Sequence, residues 1–354
     1  MRRTISIFAL AVVSALLALS VPAQATMPGA NGRIAFERFD LTLGEFGFSL
    51  LTANPDGSHQ LQLTHVPTEF PDWAPDGTRI AFDYVDPAGD TQLATISSDG
   101  TGLRQLTSGA GIHEAPSYSP DGAKIAYDYS PTFPPDLQKG PRLGGFVDAP
   151  IFGGFHTSLW VADSDGTDAH PLLPDSPDTF DVEPQFSPNG RSIAFVRLRK
   201  VGGLDNQRGG NQQEAIFVMD ADGTNMHQIT SWGLQAEHPS WSPDGRWIAF
   251  NDAITKGNSL GGASGESIYL AHPDGTGQHV LYQGQDKTGG FKPKFSPDGT
   301  KILFGCADYK RGEFDSDICT MNADGTQVLD ITNTPDNAPL NLENHPAWGS
   351  SPLL

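Results

Sequence analysis

The chain has 354 residues, with 42 acidic against 22 basic side chains and a formal net charge of −20. A field of that sign repels nucleic acid and anionic lipid, so neither is expected as a partner, and cationic surfaces are favoured. The 40 glycines and 28 prolines, with few long helical periodicities, point to many short strands joined by tight turns.

In chain order, residues 1–25 come first. Arg2 and Arg3 precede an apolar run from Ile5 to about Val21, and the small residues Ala23 and Ala25 follow. This is the pattern of a secretory signal peptide. The expected product is soluble and exported to the periplasm or the medium, starts near Thr26, and carries a charge near −22 once the two arginines are gone. The apolar run is short for a membrane span, and no later segment approaches spanning length.

From Thr26 onward an internal period overrides any domain count taken from length. Five stretches repeat nearly the same dozen residues: PDWAPDGTRIAF from Pro71, PSYSPDGAKIAY from Pro116, PQFSPNGRSIAF from Pro184, PSWSPDGRWIAF from Pro239 and PKFSPDGTKILF from Pro293. A sixth is split between PAWGSSP at Pro346 and NGRIAF at Asn31 to Phe36. In each turn proline presets the backbone, Asp or Asn tolerates the third position, and Gly takes the left-handed fourth. A second turn recurs in step, at Asp56, Asp99, Asp165, Asp222, Asp274 and Asp324.

Each repeat therefore supplies four strands, and runs such as IAF and IFVM suit sheets covered on both faces. The expected fold is all-β: one domain over residues 26–354, a six-bladed propeller of four-stranded antiparallel blades. The split repeat predicts a ring closed where the two ends of the chain share a blade. Its inner strand comes from residues 344–348 and its other three from 32–64.

The PxWSPDGxxIAF and DxDGTxxxxLT patterns resemble the repeat of the TolB-type β-propeller family over almost the whole chain after Thr26. The resemblance implies the propeller fold. Two departures limit what else it implies. TolB proteins carry an α/β domain before the propeller, whereas here the repeats begin within a few residues of Thr26; the related prolyl oligopeptidases attach a hydrolase domain, for which no stretch remains.

Strand alternation places both tight turns on one face of the ring and the other connections on the opposite face. On that opposite face the links at about 129–156, 198–213, 252–265 and 307–315 are long, as binding loops are. The first holds Phe133, Leu137, Leu143, Phe146, Phe152 and Phe155, which either pack across the ring or meet a partner. Gly257 to Gly261 matches G-x-S-x-G but lacks the strand and helix that motif needs. The Asp163/Asp165 and Asp220/Asp222 pairs lack the later ligands of a calcium loop and read as hairpin turns.

The same face receives the residues just before the repeated prolines: His113 and Glu114, Asp181 and Glu183, Glu237 and His238, Glu343 and His345. They form the candidate ligand-binding set at the channel mouth. The sharper alternative is that His113, His238 and His345 hold a divalent metal, because imidazole with nearby carboxylate suits zinc or manganese. Oligogalacturonate lyases are similar propellers that use histidines and a metal at this mouth, which implies a metal-dependent polysaccharide lyase or hydrolase as the second reading. The leading one is a monomeric, non-catalytic binding or scaffold protein for an envelope or extracellular protein or a carbohydrate. Cys306 and Cys319 sit on two arms of one hairpin, and the spacing leaves open a disulfide or two buried thiols.

Overall fold

The computed structural model describes residues 29–43, 47–131, 156–174, 176, 178–200, 212–252, 266–284, 288–308, 316–333 and 342–350. The expected signal peptide, most of the four long links and the Gly257–Gly261 motif lie outside these residues. Among the described residues no helix is long and apolar enough to cross a membrane.

The protein is an all-β propeller built from four-stranded antiparallel blades. In one sheet β1 (Asn31–Phe39), β2 (Phe48–Ala53) and β3 (Leu61–Gln62) pair with the last strand, β24 (Glu343–Ser350), in the order β24-β1-β2-β3. The split repeat is thus joined by backbone pairing, with Ile34 opposite Trp348 and Ala35 opposite Ala347.

Three further four-stranded sheets follow the chain. They are β12 (Thr179–Phe186) to β15 (His227–Gln228) through β13 (Ser192–Lys200) and β14 (Gln212–Asp220); β16 (Ala236–Trp241) to β19 (His279–Tyr282) through β17 (Ile248–Asp252) and β18 (Ile268–Ala271); and β20 (Thr288–Phe295) to β23 (Leu329–Asp330) through β21 (Lys301–Asp308) and β22 (Ser316–Asn322).

The remaining sheet has eight strands. It contains two antiparallel meanders: β4 (Thr68–Trp73), β5 (Arg79–Val85), β6 (Thr91–Ser97) and β7 (Arg104–Gln105), then β8 (Ile112–Tyr118), β9 (Lys124–Ser130), β10 (Ser158–Asp163) and β11 (His170–Pro171). A single parallel pairing of Thr91 with Ile112 links them. The innermost strands touch in the closed order β24, β4, β8, β12, β16, β20 and back to β24.

Burial explains the repeated IAF. Phe36, Phe82, Phe195, Phe250 and Phe304 are fully buried, as is Tyr127 of the IAY copy. They sit in apolar clusters shared by neighbouring sheets, such as Phe250 with Ile216 and Val218, or Phe36 with Leu303 and Ile318. Each such ring contributes about 1.5–3 kcal/mol by leaving water.

The turn residues behave as their chemistry dictates. Gly77 has φ 68°, its N–H donates to Ala74 O at 2.9 Å, and Asp76 accepts from the Thr78 N–H at 2.9 Å. Cys306 and Cys319 form a disulfide, with Cα atoms 5.8 Å apart on β21 and β22.

Candidate functional site

Every innermost strand carries one extra residue relative to its neighbour. On β4, for example, Glu69 faces Asp83 and Asp72 faces Ala81, so three steps on β4 match two on β5. The same register shift occurs on β8, β12, β16, β20 and β24. It falls at the repeated proline, which has no N–H to lose from the ladder.

The residue before each proline takes up the bend. Phe70, Ala115, Glu183, His238, Lys292 and His345 all have left-handed φ, between 39° and 55°. For a side-chain-bearing residue that conformation costs about 1–2 kcal/mol. The bulge turns these side chains and their prolines onto a narrow cavity of ≈ 40 Å³ on the ring axis, which Gln185 and Lys294 also line. At roughly 10–15 Å³ per water, it has room for a few waters or one very small molecule. A polymer would have to bind at its mouth.

Bending frees a backbone N–H at each of these positions, and a side chain accepts it. Phe70 N–H donates to Glu37 Oε1 at 2.6 Å and Ala115 N–H to Asp83 Oδ1 at 3.4 Å. Glu183 N–H donates to Asp128, and Lys292 N–H to Asn251 Oδ1 at 2.9 Å. Glu37, Asp83, Asp128 and Asn251 all stand directly after an IAF or IAY triplet, each on the preceding sheet or sheet half. Val196 and Gly305 hold the other two such places, and there the acceptors differ: His238 N–H donates to Glu183 Oε2 on the innermost strand of the preceding sheet at 3.1 Å, and His345 N–H to Oδ1 of the adjacent Asn344 at 2.9 Å.

The candidate residues divide by position. Glu183, His238 and His345, immediately before proline, face the cavity. Glu183 Oε1 lies 3.0 Å from His238 Nε2, and the His238 and His345 ring centroids are 6.3 Å apart. Glu114 and Glu237, one residue earlier, join the acidic neighbourhoods of Asp83 and Asp128 and of Glu214.

His113, Asp181 and Glu343, one residue earlier still, are held by their surroundings. His113 Nδ1 is 3.1 Å from Thr91 O, and its ring lies 4.7 Å from that of Tyr129. Asp181 is gripped at 2.6 and 2.8 Å by the Arg197 guanidinium, and Glu343 accepts from Arg38 Nε at 2.8 Å. The structure thus brings two of the three histidines together and holds the third elsewhere. Among the described residues no group of three or more His, Cys, Asp or Glu side chains is arranged to hold a metal ion.

Sequence reasoning missed half of the ring. Lys292 and Lys294 flank Pro293 in the fifth copy, the first buried and the second half-buried; desolvation pushes both ammonium groups down, against nearby carboxylates that push them up. Asp72, which accepts from the Tyr118 N–H at 2.8 Å, is raised by burial to about 6 although Lys294 opposes it. Burial also drives Glu37, Asp83, Asp128 and Glu237 well above the usual carboxylate range, helped by neighbouring carboxylates. Glu266 rises to about 8 for the same first reason. Glu183 is the exception. Burial opposes its charge too, but His238, Lys292 and Lys294 together hold it below its ordinary value. The sequence signals were the two lysines of K-P-K and the residue after each IAF or IAY triplet.

Comparison with known proteins agrees with the repeat. No family model matches the chain. A TolB homologue of Chlorobium chlorochromatii is 31% identical over 134 residues, which is 28% of this chain and 30% of that protein. The match therefore spans under a third of that relative's length.

Among solved structures, TolB from Acinetobacter baumannii superposes with a TM-score of 0.62 at 19% identity, covering 90% of this chain and 67% of that one. Hydrazine synthase of Kuenenia stuttgartiensis gives 0.66 at 16% identity, covering 90% of this chain and 47% of that one. Proteins with such different names on one fold mean that the superpositions speak for the fold alone.

Proposed function

We propose that this chain, a TolB-type β-propeller by repeat and fold, is an exported binding or scaffold protein. In this proposal residues 26–354 form one monomeric domain of six blades, the eight-stranded sheet counting as two. An envelope or extracellular protein, or a carbohydrate, docks over the face opposite the tight turns, at the mouth of the axial cavity. The observation that carries this is the ring of residues before the prolines. The scaffold repeats around the axis, yet the six side chains it aims inward are Phe70, Ala115, Glu183, His238, Lys292 and His345. A constant frame that presents a non-repeating set of aromatic, acidic and basic groups supports recognition of one specific surface. The cavity's small volume directs that recognition to the mouth.

The test is capture from envelope extract and a glycan array by the purified chain, with Glu183→Gln/His238→Ala and Asp99→Asn run beside it. Retention that is lost in the first variant and kept in the second supports the proposal. Retention no better than a charge-matched acidic protein overturns it. Release of unsaturated product from uronic-acid polysaccharide with manganese or zinc, lost in His238→Ala, would replace it with the lyase reading.

A further inference from the structure

Glu37 on β1, His345 on β24 and Lys292 on β20 form one chain of contacts where the ends of the ring meet. His345 Nδ1 lies 2.7 Å from Glu37 Oε2, and its other ring nitrogen, Nε2, meets Lys292 Nζ. The order carboxylate, imidazole, amine is the one in which an acid orients a base and the base activates a nucleophile.

Each member is fixed. Glu37 is fully buried, and Lys292 and His345 are each 6% exposed. The second oxygen of Glu37 accepts the Phe70 N–H at 2.6 Å, and the Phe70 ring lies 4.0 Å from the imidazole, centroid to centroid.

A lysine attacks only as the free amine, and this chain gives its proton somewhere to go. Nζ passes a proton to Nε2 while Nδ1 passes one to Glu37. An ammonium and a carboxylate become an amine and a carboxylic acid, with the imidazole neutral before and after. Burial favours that neutral state at every member, raising Glu37 and lowering Lys292 and His345. The charges of Glu37, Glu183, Glu69 and Glu237 pull Lys292 the other way.

We propose that Lys292 is a nucleophilic amine that condenses with a small aldehyde in the axial cavity, with His345 relaying its proton to Glu37. Nζ attacks the carbonyl carbon and the C–N bond forms. The proton that Lys292 gave up returns through His345 to the carbonyl oxygen. The carbinolamine then loses that oxygen as water, its second proton coming from the nitrogen, and an imine remains. One water leaves and nothing is oxidised or reduced.

Cavity size sets the substrate class. A space of ≈ 40 Å³ accepts a carbonyl compound of about three heavy atoms, at roughly 10–15 Å³ for each water-sized group.

The experiment treats the full chain with acetaldehyde and cyanoborohydride at neutral pH and locates ethylated lysines by peptide mass spectrometry. Lys124, on the surface, is the internal reference. Lys292 is expected to react at least ~10-fold faster than Lys124, in keeping with general-base assistance, and to lose that advantage in His345→Gln. Benzaldehyde, too large for the cavity, should spare Lys292 while still marking Lys124; this control needs only the wild-type chain. Equal rates at Lys292 and Lys124, an unchanged ratio in a folded His345→Gln, or equal reaction of Lys292 with both aldehydes would each overturn the proposal.

Discussion

The tight-turn face and the axial ring use the same residue types in opposite electrostatic states. At the turns, Asp99, Asp165, Asp222, Asp274 and Asp324 each accept from the hydroxyl and the N–H of the Thr two residues on. Those bonds stabilise the carboxylate and hold each pKa below its ordinary value. On the ring, burial acts on Glu37, Asp72, Asp83 and Asp128 in the other direction.

The turns repeat because every copy solves the same local problem with water at hand. The ring carboxylates close a bulge by reaching into the next sheet or sheet half, where water is excluded. There the free energy depends on which neighbours are present, so the copies diverge.

Removing the strand that closes the ring should have the largest effect. Deleting residues 344–354 takes β24 from β1 but leaves nearly every turn intact. If turns alone held the protein, little would change. Melting followed by circular dichroism should instead show the transition lowered by more than ~10 °C or lost, as the removal of several kcal/mol requires. An unchanged transition would break the comparison.

Next come paired substitutions read against pH. Asp83→Asn keeps an oxygen to accept the Ala115 N–H and removes a carboxyl whose charge the fold disfavours. A folded-state pKa raised above the unfolded value gives stability that is present at low pH and lost as pH rises through the folded value. The wild-type melting temperature should therefore fall between pH 5 and pH 9, through the range where Asp72 (about 6) and Glu266 (about 8) ionise. Asp83→Asn should reduce that fall. The turn aspartates have the reverse sign: their contribution is present above the unfolded pKa and lost as pH drops through the folded one. Asp99→Asn should lower the melting temperature by a constant amount across pH 5 to 9 without changing the shape of the profile, and the difference from wild type should shrink below about pH 4.

The smallest effect should come from Ala115→Gly. Ala115 has φ 51°, and glycine relieves the left-handed backbone while adding unfolded-state entropy, for a net gain of about 0.5–1 kcal/mol. A loss of stability would mean that the Ala115 methyl packs in a way that outweighs the strain.

The scaffold was legible because its turns and apolar triplets are local and repeated. Pro-Asp-Gly states a turn by itself, and the split of PAWGSSP from NGRIAF stated the pairing of β1 with β24. The site was legible only in part. Glu183, His238 and His345 stand out as ionisable residues before a proline, and they do face the axis. Their neighbours one and two places back do not, because a strand sends successive side chains to opposite faces and the bulge adds a turn that spacing alone does not reveal. Glu37, Asp83 and Asp128 were hidden at the ends of apolar triplets, where a lone acid looks like the solvent-facing step of a strand. Lys292 was overlooked because the sequence drew attention to histidines and acids. Its role depends on Glu37 and His345, which lie some 250 and 50 positions away and meet it only once the ring is closed.

The contrast between the two faces is tested most directly by carboxyl-carbon NMR titration of the folded chain with 13C-labelled Asp and Glu. The expected result is two populations: turn aspartates that ionise below their ordinary range, and ring carboxyls that ionise late, with Asp72 near 6 and Glu266 near 8. A single population ionising between about pH 3 and 5, as free carboxyls do, would contradict the account.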